Sequence, residues 1–337
     1  MRTPNLTTRV LRWRLIGLAL AVVMTGCTAG TPPPPEGGTS AGSRSGIPTR
    51  STGSGSTGGS PTSATDAPTS RPTGIPVSGR WPGATRLRPG ETPPQFVVVS
   101  WDGAGATDEL FAHYRALARQ LSGSMTFFLT GIYAVPAEKR SVYQPPRRAP
   151  GASDIGFLSR TSVRATMQQV ALAATEGDEI GTHFNGHFCG AGGIGSWTPA
   201  DWDSEIEQAI TLVTDWRTTS DSADLPELPF DYLSELVGGR TPCLEGRAAL
   251  LQADHLRTWR YDSSGTTRQV WPGKLAGTGL WDLSMDLLPF PGHFFEVLAM
   301  DYSFMANQSG NSTRDATRYA QWQAETLAAY RAGFQRA

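Results

Sequence analysis

The chain carries no surplus of charge: 29 Lys and Arg stand against 30 Asp and Glu, a formal net charge of −1 over 337 residues. Its basic residues are scattered rather than clustered, which leaves nucleic acid and anionic membrane surfaces without support as partners. It also lacks an early apolar run long enough to span a bilayer, since the run from Leu15 to Met24 is too short for a membrane-crossing helix. Residues 28–84 have almost none of the side chains from which a core is built. Histidine is scarce, with five residues, and cysteine scarcer, with three. Each of these residues therefore weighs heavily in any account of chemistry.

What is present at the amino terminus is a secretory pattern. Arg2, Arg9, Arg12 and Arg14 precede the short apolar run, which ends in Met24-Thr25-Gly26-Cys27. Those four residues look like a bacterial lipobox, in which Cys27 becomes the lipidated first residue of the mature protein. The alternative is an ordinary cleavage site nearby. Residues 1–27 are thus expected to be a lipoprotein signal peptide, and the chain to be extracytoplasmic, anchored by lipid to the outer face of the cell membrane. Residues 28–84 collapse to Gly, Ser, Thr and Pro, including Pro32 to Pro35, and are expected to form a flexible stalk without a core. Residues 85–337 are one domain's worth of chain.

That domain opens with a continuous apolar run over 95–100, which predicts a strand buried on both faces. A helix follows with Leu110, Phe111, Tyr114, Leu117 and Leu121 on one face, stopped at Gly123. A strand is expected over 125–129. A second helix is marked by Val163, Met167, Val170 and Ala174 and closed by Gly177, and it leads into a short strand ending at Gly181. A third helix is marked by Trp202, Ile206, Ala209, Val213 and Trp216, and further strands are predicted over 236–240, 258–262, 287–290 and 296–300. Strand and helix in alternation mean a mostly parallel sheet, with chemistry gathered at the carboxyl ends of the strands. Ten tryptophans suit either core packing or the apolar faces of sugars at a groove rim.

The polar residues register on that expectation. His183 and His187 lie four apart, separated by Phe184, Asn185 and Gly186, and Asn-Gly is turn chemistry. The pair belongs on a loop beyond a strand, where two imidazoles either grip one divalent ion or merely hydrogen-bond within the rim. Asp102 follows the first strand, where an aspartate is either a helix cap or a ligand. Arg240 and Asp262 follow later strands. A carboxylate with two imidazoles suits zinc or a similar ion, and such a site activates water for amide or ester hydrolysis.

These segments resemble the polysaccharide deacetylases of the NodB-homology type, carbohydrate esterase family four. Glu179 to His183, with His187, resembles that family's metal-binding motif. Gly239-Arg240-Thr241-Pro242 is similar to its Arg-x-Pro motif, and Arg260 to Ser264 to a segment whose aspartate pairs with the motif arginine. Val99 to Gly103 resembles the first motif. The matches run in order over 95–302, and the chain is similar to actinobacterial lipoproteins of this kind. The resemblance implies a distorted (β/α) barrel. It makes Asp102, His183 and His187 the ligands of a divalent metal such as zinc, gives Asp102, Arg240 and Asp262 catalytic roles, and places Trp101, Phe184 and Pro242 along a substrate groove.

Two departures accompany it. The family's first motif has two adjacent aspartates, one a base and one a ligand, whereas this chain has Asp102 alone. Registered as ligand, Asp102 leaves Trp101 at the base position; registered as base, it leaves the metal short of a carboxylate. Asp301 is either the missing carboxylate or a surface charge. The family's late apolar strand, which delivers a histidine acid, has no counterpart after Thr313, where 314–337 reads as an amphipathic helix carrying Tyr319, Trp322, Leu327, Tyr330 and Phe334. The barrel is therefore expected to be incomplete at its carboxyl end. His293, among Pro289, Pro291 and Gly292, is the spare histidine there.

With Cys27 assigned to lipid, Cys189 and Cys243 remain, two residues after His187 and three after Arg240. Both belong on one rim and are expected to form a disulfide, the alternative being two free thiols. The leading expectation is a monomeric, surface-anchored, metal-dependent hydrolase that removes acetyl groups from cell-wall or extracellular polysaccharide. The alternative is a catalytically weak or inactive relative that binds glycan or wall through the same groove.

Overall fold

A computed structural model describes residues 86–92, 96–105, 108–269, 271–290, 292–307 and 316–336. The chain divides into two units, Met1–Thr62 and Ser63–Ala337, and every described residue belongs to the second. The signal peptide, Cys27 and the whole of the expected stalk lie outside the described residues. Among the described residues no helix is long and apolar enough to cross a membrane.

The first half alternates strand and helix as expected. Strand β1 (Ser100–Ala104), helix α1 (Asp108–Gln120), strand β2 (Thr126–Leu129), helix α2 (Arg160–Glu176), strand β3 (Glu179–Thr182) and helix α3 (Pro199–Thr214) follow in order. The strands pair in parallel in the order β1-β2-β3, with Asp102 opposite Phe128 and Phe128 opposite Gly181. Gly181 sits where a side chain has no room, because a Cβ there would lie 2.8 Å from the Phe128 ring.

Local chemistry explains where the helices start and stop. Ser159 caps α2 by accepting from the Ser162 N–H at 3.1 Å, and Gly177 ends it in a left-handed conformation (φ 86°). Thr198 and Asp201 form a reciprocal capping box at the start of α3, with Pro199 in the first turn. Buried Val163, Met167 and Val170 of α2 and Trp202, Ile206 and Val213 of α3 share one core with Phe127, Leu129 and Ile180. Helix α1 is where expected, but its predicted face is only partly the buried one. Phe111, Arg115 and Ala118 are buried, while Leu110, Leu117 and Leu121 are exposed.

Later elements are short: helices α4 (Trp216–Thr219), α5 (Tyr232–Glu235) and α6 (Arg247–Leu250), and strands β4 (Tyr261–Asp262), β5 (Thr266–Thr267), β6 (Gly273–Lys274), β7 (Trp281–Asp282), β8 (Met285–Pro289) and β9 (Glu296–Leu298). They form two more three-stranded sheets, β4-β7-β6 and β5-β8-β9. Backbone hydrogen bonds carry the parallel order across the gap between sheets. Arg240 N–H donates to Thr182 O (3.0 Å), Ser263 N–H to Gly239 O (2.9 Å) and Leu283 N–H to Asp262 O (3.0 Å). Residues 237–240 thus lie between β3 and β4, and β7 lies beyond β4.

Helices α7 (Asp301–Ala306) and α8 (Ala316–Arg336) close the described chain. Phe304 and Ala329 pack on Leu288, Phe290 and Val297 as a second, smaller core. Leu327 is exposed and Tyr330 half-buried. Among the described residues after Thr313 there is helix alone, as the sequence predicts.

Several strand boundaries need correction. Phe96, Val97, Val98 and Val99 are 47–58% exposed and the β1–β2 register begins only at Ser100, although Val99 O accepts from Thr126 N–H (3.0 Å), so the predicted buried strand over 95–100 is displaced to Ser100–Ala104. A strand buried on both faces needs packing on both, and the exposure of residues 96–99 shows that they have it on neither. The strand predicted over 236–240 is reduced to a single bridge, Gly239 to Thr182. Residues 254–258 turn as a 3-10 helix, so that strand begins only at Tyr261. β9 runs antiparallel to β8 and ends at Leu298.

Candidate metal centre

The ends of β1, β3 and 237–240 bring Asp102, His183 and Arg240 together. Arg240 is 7% exposed, and nearly every donor of its guanidinium is engaged. Its Nη1 donates to Asp102 Oδ1 (2.7 Å) and Ser100 Oγ (2.9 Å), its Nη2 to Ser263 Oγ (2.6 Å), and its Nε to Ser263 Oγ (3.2 Å). Its Cζ lies 4.8 Å from the Phe128 ring centre. A planar fork so engaged has one orientation, and it fixes Asp102 through one oxygen. Asp102 Oδ2 makes no hydrogen bond among the described residues.

His183 leaves β3 with its N–H bonded to Leu129 O (2.8 Å), and its Nδ1 lies 2.8 Å from the Arg240 carbonyl oxygen. A carbonyl only accepts, so Nδ1 carries the proton and Nε2 keeps its lone pair. Burial pushes the His183 pKa down to about 4 against the opposing pull of Asp102's charge, so the imidazole is neutral at pH 7. The His187 ring centre stands 5.3 Å away. Its pKa is also lowered by burial, with Asp154 and Asp102 pulling the other way.

Phe184 (φ 57°) and His187 (φ 56°) both adopt left-handed backbone, on either side of the bend at Asn185-Gly186. Side-chain-bearing residues resist that conformation by about 1–2 kcal/mol each, so the loop must be held from outside. Asn185 N–H donates to Glu205 Oε1 (3.0 Å), and Asn185 Nδ2 donates to the Glu205 carbonyl (2.9 Å). Asp154 N–H and Ser153 Oγ both donate to Gly186 O, at 2.9 and 3.1 Å. The Cys189–Cys243 disulfide joins this loop to the segment after Arg240, as the sequence predicts.

One grouping among the described residues has all its donor atoms within 4.8 Å of one another: His187, Cys189 and Cys243. Its sulfurs are bonded to each other and so are not thiolate ligands. Asp102 and His183 stand outside that grouping. His183 Nε2, His187 and the open oxygen of Asp102 are donors of the types a divalent ion takes, two imidazoles and a carboxylate, one imidazole oriented by a carbonyl.

Other sequence-predicted site residues lie elsewhere. Asp262 does not pair with Arg240. It is fully buried, accepting from Arg247 Nε (2.6 Å) and Ser264 Oγ (2.7 Å), and Arg247 Nη2 also donates to Asp282 (2.7 Å). Arg247 reaches it first because Arg240 is already turned to Asp102. Trp101 points into the core against Phe111 and Tyr114, with ring centres at 5.4 and 5.1 Å. Phe184 is 1% exposed and packs on Trp202 at 4.8 Å, and Pro242 is buried, so neither of these two is a groove wall, while Trp101 is partly buried. Asp301 begins α7 and accepts from the Tyr330 hydroxyl (3.2 Å), and His293 is exposed beside Phe290 and Phe295 in the turn before β9.

Glu205, Asp154 and Arg247 had no place in the sequence reading. Glu205 carried a signal: it falls on the α3 stripe between Trp202 and Ile206, where an ionisable side chain is out of place. No family model matches the chain, and no curated protein matches it.

Proposed function

We propose that residues 85–337 form a metal-dependent hydrolase of the polysaccharide deacetylase kind, built on a curled, mostly parallel sheet of the (β/α) barrel type. The observation that carries this reading is His183, neutral and with Nδ1 committed to the Arg240 carbonyl, beside His187 and an Asp102 held by the same Arg240. His183, His187 and Asp102 would hold a divalent ion such as zinc, which when bound polarises an acyl oxygen and makes water a nucleophile at neutral pH. Arg240 orients Asp102 and keeps it from turning away. The disulfide braces the histidine loop against the Arg240 segment. Lipid on Cys27 and the stalk over 28–84 would present the domain to wall or extracellular glycan from the outer face of the membrane.

One observation favours a second reading, a glycan-binding relative with little turnover. The base position beside Asp102 is held by Trp101, whose ring is committed to the core, and a metal site without a dedicated base is slow.

Acetate release from an N-acetylglucosamine oligomer separates the readings. The deacetylase reading expects acetate from the wild type, loss with a chelator and return with zinc. Bound zinc without acetate would transfer the protein to the second reading, and a protein that binds no zinc would end both.

A further inference from the structure

Helix α3 passes beneath the histidine loop and presents one ionisable side chain to it. Glu205 is 1% exposed, between Trp202 and Ile206 in the core stripe. Its carboxyl group is met by the Tyr143 hydroxyl at 3.0 and 2.9 Å and by the Asn185 N–H at 3.0 Å, while its own carbonyl accepts from Asn185 Nδ2 at 2.9 Å. Tyr143 arrives from 62 residues away in sequence and Asn185 from 20. Burying a carboxyl group is strongly unfavourable unless its partners compensate, and an aliphatic side chain fills a helix stripe without that penalty.

We propose that Glu205 is a positioning residue for the two imidazoles, fixing the Asn185-Gly186 bend on α3 and with it the separation of His183 and His187. The proposal rests on the metal-centre reading above. The bend has no ladder of its own, and left-handed residues flank it. Without Glu205 the Asn185 N–H would be buried and unpaired, and the loop would be free to relax toward ordinary backbone angles. Relaxation there moves His187 relative to His183, because His183 is pinned to β2 and to the Arg240 carbonyl, whereas His187 lies beyond the bend. Tyr143 completes the clamp by donating across both oxygens of the carboxyl group, and it comes from the same segment between β2 and α2 that places Ser153 and Asp154 on Gly186.

The test is zinc affinity of the full chain, by competition with a chromogenic chelator, for wild type, Glu205→Leu, Glu205→Gln and Tyr143→Phe. The visible spectrum of bound cobalt reads ligand geometry in parallel. Leucine keeps the volume and removes the acceptor, and glutamine keeps an acceptor for Asn185. Glu205→Leu is expected to weaken zinc binding roughly tenfold to a hundredfold, the range for residues that orient metal ligands, and to alter the cobalt spectrum. Glu205→Gln should restore affinity to near wild type, with Tyr143→Phe falling between. A purely structural Glu205 would change melting temperature and leave both readouts of the folded protein unmoved. Wild-type affinity in Glu205→Leu, or in Tyr143→Phe should the leucine variant not fold, would overturn the proposal while leaving the metal centre standing. A wild type that binds no zinc would remove both.

Discussion

Arg240 and Arg247 lie seven residues apart, and each holds an aspartate, yet the two pairs differ in what they leave over. Arg247 and Asp262 form a closed set: Asp262 is fully buried, both its oxygens are bonded, and the second arm of Arg247 goes to Asp282. Arg240 and Asp102 form an open one. Asp102 is partly exposed, one oxygen is fixed, and the other makes no hydrogen bond among the described residues. A satisfied carboxylate is scaffold, and a half-satisfied one beside neutral imidazoles can take a ligand. The difference lies in which groups have capacity left, not in which residues are charged.

The sharpest way to break that contrast is to truncate the closed pair. Asp262→Ala should destabilise by about 3–5 kcal/mol, the usual consequence of stranding one partner of a buried pair, measured by denaturant unfolding. An unchanged midpoint would show that Arg247 and Asp282 carry the set alone. Replacing Cys189 and Cys243 together by serine should lower stability by about 2–4 kcal/mol, since the bond closes a loop with a sequence separation of 54. The same variant should weaken metal binding, because one anchor of the histidine loop is lost.

On the open side the expectation inverts. Asp102→Asn should destabilise by only about 1–2 kcal/mol while lowering acetate release a hundredfold or more. Equal losses at Asp102 and Asp262 in both assays would erase the distinction. The smallest effect concerns Glu205, whose pKa burial pushes up from 4.5 to about 7. The folded state then holds a proton that the unfolded state has lost between those values, so this group's contribution falls as pH rises from about 4.5 to 7. Glu205→Gln should remove that fall, so that its stability rises relative to wild type across the window. Parallel stability curves from pH 4.5 to 8 would contradict it.

Where local chemistry alone decides, the sequence is an adequate guide. Capping residues and periodicity locate α2 and α3, Gly177 marks the stop, and the Asn-Gly pair places both histidines beyond β3. The disulfide follows from two cysteines brought to one rim. Where partners decide, the sequence falls short. Residues 96–99 have strand composition but stay about half exposed, and the ladder begins at Ser100. Phe184 sits among site residues in sequence yet points into the core, because the left-handed turn rotates it toward Trp202. Asp262 could be matched to the wrong arginine because Arg240 and Arg247 are both near, and only the geometry of Asp102 shows which is already engaged. The two-residue strands β4 to β7 have too few residues to show any period.

The most direct test of the central claim is the zinc content of the purified protein, wild type beside His183→Ala. The account predicts one equivalent of zinc per wild-type chain and none in the variant, with the variant still folded and its disulfide retained. A wild type without zinc, or a His183→Ala variant that holds as much as wild type, would contradict it.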